Sequence, residues 1–164
     1  MDRANQILQL IHDHPGIRFS EMMRETGLKN GVLSYHLSKI EQSGKIQIER
    51  TPRVARLYPC GMQKEETVII KHLKNPTARK ILTELSDNML SFKELVDRTK
   101  KSQGTVSLCL KSLCADEIIE RVFVGGNMMF NLATPSMVNS LIDKQKPTFI
   151  ENTANNISDI FSSI

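Results

Sequence analysis

The chain has 164 residues, of which 40% are hydrophobic and 24% are charged, and this balance excludes a disordered or fibrous protein. Its 22 basic and 18 acidic side chains give a net charge of +4, which permits nucleic-acid binding without establishing it. Aromatic residues make up 5% and tryptophan is absent, so binding of single strands by base stacking is disfavoured.

The cysteines and the apolar runs narrow the class of protein further. Cys60, Cys109 and Cys114 are odd in number and include no CxxC pair, which argues against a disulfide scaffold or a zinc ribbon. The first residues lack the apolar stretch of an export signal, and glycine, asparagine and proline interrupt the uncharged run 122–142. We therefore expect a cytoplasmic chain with reduced thiols and no membrane span.

Three helices are predicted in the first part of the chain. Asp2 is placed to cap a helix with apolar residues at helical spacing, and Pro15 with Gly16 ends that helix. A second helix runs from about residue 19 to 26 and ends at Gly27, which suits the left-handed position after a helix. The inward face of a third helix is predicted to comprise Val32, Leu33, His36, Leu37 and Ile40.

After the third helix the apolar pattern changes from helical to alternating. Ile46 and Ile48 alternate with polar residues, and Leu57 and Tyr58 follow across the turn at 51–53, which predicts a β-hairpin. The order of helix, helix, turn, helix and hairpin is that of a winged helix-turn-helix domain.

The whole pattern recurs 73 positions later. The matched pairs include Phe19 with Phe92, Gly31 with Gly104, Ser34 with Ser107, Leu37 with Leu110 and Ile46 with Ile119. In the second copy Ser91 and Glu94 have the spacing of a capping box, whereas Arg18 stands where the first copy would need the capping serine. Such self-similarity indicates that one small fold occurs twice.

The predicted fold class is mainly α with small β-hairpin wings, built from two tandem winged helix-turn-helix domains and a helical tail. We assign residues 1–61 to the first domain, 62–75 to a linker helix, 76–133 to the second domain and 134–164 to the tail. The end of the tail carries an apolar stripe with helical steps of three and four, namely Ile150, Ile157, Ile160, Phe161 and Ile164. This stripe either folds back on its own chain or pairs with the tail of a second copy.

The predicted third helix and its flanks carry a family resemblance. Residues 26–46, TGLKNGVLSYHLSKIEQSGKI, resemble the recognition segment of ArsR-type and MarR-type winged-helix regulators. With the tandem layout, residues 1–133 are most similar to archaeal transcription regulators that contain two winged helices. The resemblance implies sequence-specific binding of double-stranded DNA without a cofactor, and the metal-sensing cysteine motif of some ArsR-type proteins is absent. In the second repeat Cys109 replaces His36 and Glu117 replaces Gly44, so DNA reading by that repeat stays open.

The outward face of the third helix is the predicted DNA-reading surface. It comprises Lys29, Asn30, Gly31, Ser34, Tyr35, Ser38 and Lys39. A major groove accepts a helix whose early exposed residues reach base edges, and asparagine can pair with adenine. We expect Ser34 and Tyr35 to donate to phosphates, and the alternative interpretation is a merely solvated face.

Basic residues extend the predicted surface in both repeats. Arg50, Arg53 and Arg56 on the first hairpin suit phosphate contact or entry into a narrow minor groove. The equivalent helix face of the second repeat comprises Lys100, Lys101, Ser102, Gln103, Ser107 and Lys111. That face either adds DNA contacts or belongs to a pairing domain without base reading, and the second hairpin has an uncharged tip at 125–127.

Two function classes are consistent with these features. The first is a DNA-binding transcription regulator, nucleoid-associated, with double-stranded DNA, a second copy of the chain and the transcription machinery as partners. The second is a protein-interaction scaffold, as in ScpB-like condensin subunits or transcription-initiation adaptors. Phosphate-binding glycine loops and the HExxH, CxxC and GxSxG motifs are missing, so we expect neither an enzyme nor a metal site.

Overall fold

The computed structural model describes residues 2–144, which form two compact units, residues 2–67 and Val68–Lys144. Each unit contains a three-stranded antiparallel sheet and its own helices. The predicted class, mainly helical with hairpin wings in two tandem winged helix-turn-helix units, is confirmed. The apolar stripe at 150–164 lies outside the described residues.

The first unit has the predicted order of elements and one additional strand. Its elements are α1 (Arg3–Asp13), β1 (Ile17–Arg18), α2 (Phe19–Thr26), α3 (Asn30–Gln42), β2 (Ile46–Arg50) and β3 (Ala55–Pro59). The strand β1 was not predicted, because two residues are too few to show an alternating pattern. It pairs with β3 through Ile17 and Leu57, which makes β3 the central strand of the sheet.

Local sequence signals explain where the helices of the first unit begin and end. The carboxylate of Asp2 accepts from the backbone N–H of Asn5 at 2.8 Å, as predicted for the cap of α1. Gly27 ends α2 with φ +71°, a conformation that glycine adopts without steric cost. Arg18 precedes α2 without capping it and instead donates from Nε to Oε1 of the buried Glu21 at 2.5 Å.

The core of the first unit forms where α1, α2, α3 and the sheet meet. Its buried members are Ile7, Ile11, Ile17, Met22, Leu33, Leu37, Ile40, Ile46 and Leu57. The prediction that Val32 faces inward is wrong, because Val32 is 38% exposed. His36, which was also predicted to face inward, is half-buried. Each precedes a core leucine by one position, which is about 100° around a helix, so neither shares the buried stripe.

The second unit repeats this architecture and adds a helix. After α4 (Lys64–Leu73), which crosses the boundary between the units in the chain, the elements are α5 (Pro76–Asp87), β4 (Leu90–Ser91), α6 (Phe92–Thr99), α7 (Gln103–Ala115), β5 (Ile119–Val124), β6 (Asn127–Leu132) and α8 (Pro135–Lys144). The capping box at α6 is present: Glu94 N–H donates to Ser91 Oγ, and Ser91 N–H donates to Glu94 Oε1, both at 3.2 Å.

Parts of the predicted linker and of the predicted tail lie in the second unit, namely α4 from Val68 onward and all of α8. Ile69, Ile70 and Leu73 of α4 are buried, and α8 packs against α5 with Val138 and Leu141 buried. None of the helices between residues 2 and 144 has the length and hydropathy needed to cross a membrane.

Candidate nucleic-acid interface

The core of the first unit presents one face of α3 to solvent. Leu33, Leu37 and Ile40 are 0%, 3% and 7% exposed and tie the helix to α1 and the sheet. The three residues fall at positions i, i+4 and i+7, which occupy a single stripe of an α-helix. The opposite side of α3 is therefore left exposed.

The structure brings the seven predicted reading residues together on that exposed side. Lys29, Asn30, Gly31, Ser34, Tyr35, Ser38 and Lys39, hereafter the reading face, are all exposed. The first turn of α3 contains no acidic residue, and Lys29 at the N-cap makes no side-chain cap. Because unpaired N–H groups and the positive end of the helix dipole lie there, this end of α3 attracts anions.

Contacts along the reading face hold its longer side chains in place. The Nζ of Lys39 lies 4.6 Å from the centroid of the Tyr35 ring, and the ring of His36 meets Tyr35 edge-on at 5.5 Å between centroids. Ser34 Oγ donates to Asn30 Oδ1 at 3.2 Å. Tyr35 is nevertheless 54% exposed, so its hydroxyl end projects from a supported ring.

The hairpin β2–β3, hereafter the first wing, presents its three arginines differently. Arg53 is exposed at the turn, where Thr51 closes the loop through N–H and hydroxyl bonds to Val54 O, both at 2.9 Å. Arg50, at the end of β2, donates from Nη1 and Nη2 to the two carboxylate oxygens of Glu41 at 2.9 and 2.8 Å. This pairing lowers the pKa of Glu41 through the hydrogen bonds from Arg50 and raises that of Arg50.

Arg56 is not brought to the wing tip with the other two. It lies on the central strand β3, is half-buried, and donates from Nη1 to the carbonyl oxygen of Gly16 at 2.9 Å. The side chain of Arg56 is therefore held by the chain that precedes β1, whereas Arg53 is exposed at the turn.

A notch between α3 and the first wing was not foreseen from the sequence. This cavity of about 190 Å³ is lined by Phe19, Ser34, Leu37, Ser38, Ile48, Arg50, Ala55 and Leu57. Apolar residues form its floor, while two serine hydroxyl groups and the Arg50 guanidinium contribute polar atoms. Glu41 was also missed, since nothing local to the end of α3 relates it to a residue nine positions later.

The second unit has a different surface at the equivalent positions. Its predicted residues Lys100, Lys101, Ser102, Gln103, Ser107 and Lys111 are all exposed. Ser102 caps α7, accepting from the N–H of Thr105 at 3.2 Å. In place of Tyr35 stands Leu108, which is 72% exposed, and the wing β5–β6 carries the exposed cross-strand pair Phe123 and Met128.

No group of three or more His, Cys, Asp or Glu residues between positions 2 and 144 could hold a metal ion. The three cysteines are free thiols, and burial raises the pKa of Cys109.

Both units match known domain families. Residues 1–70 match the model described as an N-terminal HTH domain, and residues 75–121 match the model described as bacterial regulatory protein, arsR family. No curated protein matches the chain.

Several solved structures are similar to parts of the chain. HlyU from Vibrio cholerae N16961 is 28% identical over 50% of this chain and 91% of its own, with a TM-score of 0.44. The transcriptional repressor BigR from Xylella fastidiosa is 23% identical over 48% of this chain and 84% of its own, with a TM-score of 0.43. A homodimeric winged helix-turn-helix DNA-binding domain from Mycobacterium bovis, a possible ArsR-family transcriptional regulator, is 17% identical over 60% and 93%, with a TM-score of 0.42.

Proposed function

We propose that the chain is a DNA-binding transcription regulator that recognises a specific sequence of double-stranded DNA through its first unit. The matches of residues 1–70 to an N-terminal HTH domain and of residues 75–121 to the arsR family support this proposal. In this proposal α3 enters the major groove and the first wing contacts the backbone or the minor groove. In this proposal the chain acts as a regulator rather than as an enzyme.

The observation that carries this proposal is the composition of the reading face. An α-helix fits the major groove, and the groove offers a distinct donor and acceptor pattern for each base pair. Asn30 and Tyr35 project from the first two turns of α3 and are exposed, and Lys39 adds positive charge beside them. Asn30 supplies one donor and one acceptor, which match the N6 and N7 edge of adenine.

The test of base reading is selection of duplexes from a randomised library by the wild-type protein and by single variants. We expect Asn30→Ala to relax one position of the preferred sequence and to cost about 1–3 kcal/mol of binding free energy at that site. Tyr35→Ala should change the preferred sequence or weaken binding to it. Tyr35→Phe removes the hydroxyl and keeps the ring, so it distinguishes the contributions of the two groups to binding.

A matched control is Asn5→Ala, which removes an exposed asparagine side chain from α1 rather than from the reading face. If Asn30→Ala and Tyr35→Ala both select the wild-type sequence with wild-type affinity, α3 does not read bases and the proposal is wrong.

A second candidate function concerns the second unit, which could act as a protein-interaction module. The observation that favours it is the exposure of Leu108 and Phe123, at 72% and 75%, where the first unit has Tyr35 and Arg50. Lysine side chains near the start of α7 favour DNA instead, because they add charge to the positive end of a helix. Joint replacement of Lys100, Lys101 and Lys111 by alanine tests the DNA alternative: a shallower salt dependence of DNA binding indicates that this face contacts DNA, and an unchanged one excludes that contact.

We further propose that the chain pairs through its C-terminal tail and acts at the nucleoid in the cytoplasm. A single winged helix covers a half-site, so two copies would read two half-sites about one helical turn apart. Truncation after Lys146 should convert a dimer into a monomer in sedimentation at micromolar concentration. A truncated protein that still sediments as a dimer would exclude the tail as the pairing surface. Chromatin immunoprecipitation followed by footprinting tests nucleoid association and identifies the bound sites.

A further inference from the structure

We propose that Glu41 determines how selectively the first unit binds DNA, because it positions the Arg50 guanidinium at the notch between α3 and the first wing. In this arrangement Arg50 reaches a phosphate only when that phosphate sits in the notch. This role of Glu41 rests on the proposed function of the reading face and the first wing. Through it, Glu41 helps the protein to distinguish its specific site from random sequence.

The geometry of the pair leaves Arg50 able to bind a further anion. Glu41 accepts one N–H from Nη1 and one from Nη2, at 2.9 and 2.8 Å. A guanidinium has five N–H donors, so Nε–H and one hydrogen on each terminal nitrogen remain. Arg50 also lines the notch, where Ser34 and Ser38 contribute hydroxyl groups. A phosphate oxygen accepts hydrogen bonds from donors of both kinds.

The exposure of the pair argues against a purely structural role. The side chains of Arg50 and Glu41 are 62% and 33% exposed, and exposed ion pairs add little to folding stability. A carboxylate beside a DNA-contacting arginine repels every phosphate that approaches. Such a residue lowers affinity for DNA in general, and it favours the one arrangement in which the phosphate meets the free N–H donors.

The second unit shows that the fold does not need this pair. Counting 73 positions on, Cys114 stands in place of Glu41 and Phe123 in place of Arg50, whereas Ser107 keeps the serine of position 34. The helix α7 and the strand β5 form at the equivalent places without an acid or a base at those two positions. The second unit therefore lacks both members of the pair, as expected if Glu41 and Arg50 act together.

The test compares Glu41→Gln with the wild-type protein on two probes. One is a labelled duplex of random sequence, and the other is the duplex that the wild-type protein selects from a randomised library. Removing one charge a few ångströms from a phosphate should raise affinity for the random duplex by roughly threefold to tenfold. Affinity for the selected duplex should rise less or fall, so the ratio of the two affinities decreases.

Glu65→Gln is the matched control, since it removes the same charge from an exposed position on α4. It should change both affinities by the same small factor. Glu41→Asp keeps the charge on a side chain that is one methylene shorter and holds Arg50 less closely, and it should lower the ratio without strengthening random binding. Thermal unfolding of each variant verifies that the fold is retained.

The outcomes distinguish a failure of the proposed role of Glu41 from a failure of the proposed function of the first unit. If Glu41→Gln and Glu65→Gln change the two affinities alike, the role of Glu41 is refuted while sequence-specific binding by the first unit stands. If the wild-type protein binds no selected duplex better than the random one, the proposed function fails and the role of Glu41 fails with it.

Discussion

The buried phenol of Tyr58 makes the stability of the first unit sensitive to alkaline pH. Tyr58 lies on the central strand β3 and is 1% exposed, and its hydroxyl has no hydrogen-bond partner among residues 2–144. Burial is the main cause, and the charge of Glu49 the second, of a pKa of Tyr58 that is raised to about 12. The phenolate is therefore excluded from the folded chain under conditions in which the unfolded chain ionises. Tyr58→Phe removes the ionisable group and preserves the shape of the ring.

The size of the effect follows from the difference between the folded and unfolded pKa. An ordinary tyrosine has a pKa of about 10. A raised pKa means that the contribution of Tyr58 is fully present below pH of about 10 and is lost as the pH rises toward about 12. Near pH 11 the unfolded phenol is about nine-tenths ionised and the folded one about one-tenth, which corresponds to a loss of about 1.4 kcal/mol.

Urea unfolding followed by far-UV circular dichroism measures this loss. The free energy of unfolding of the wild-type protein should fall between about pH 8 and about pH 11 by about 1.4 kcal/mol more than that of Tyr58→Phe. At about pH 8 the variant should be at least as stable as the wild type, because an unpaired buried hydroxyl costs about 1–3 kcal/mol. Tyr35→Phe is the matched control, since it removes the same hydroxyl group from a side chain that is 54% exposed. Equal losses in the wild type and Tyr58→Phe would refute the reasoning.

Three further predictions concern DNA binding and the ends of helices. Arg53→Ala should lower the slope of log affinity against log salt by roughly 1, whereas Arg3→Ala on α1 should leave it unchanged, and titrations of a labelled duplex at several salt concentrations check this. Ser91→Ala should lower the free energy of unfolding by about 1 kcal/mol in urea titrations because it breaks the capping box, and an unchanged value would exclude a stabilising role of the cap. Arg18→Ala should lower the free energy of unfolding by about 1–3 kcal/mol in urea titrations, because it leaves the buried carboxylate of Glu21 without its ion-pair partner, and an unchanged value would exclude this role.

The sequence by itself predicted the main helices and both hairpins of this protein and their repetition. Helical and alternating apolar periods depend only on neighbouring residues, so they predict α3 and both hairpins without knowledge of the rest of the fold. Breaks and caps are equally local: Gly27 ends α2, and Ser91 with Glu94 begins α6, as predicted. The exposure of the reading face followed as well, because one side of an amphipathic helix must face away from the core.

Only the tertiary structure decided which charged side chains act together. The two-residue strand β1 exists because the hairpin offers its edge as a pairing partner. Its formation makes β3 the central strand and brings the carbonyl oxygen of Gly16 within reach of Arg56. The bond between Glu41 and Arg50 joins the end of a helix to the end of a strand. Contacts between elements depend on how the chain folds back on itself, and residue periodicity within one element contains no information about that path.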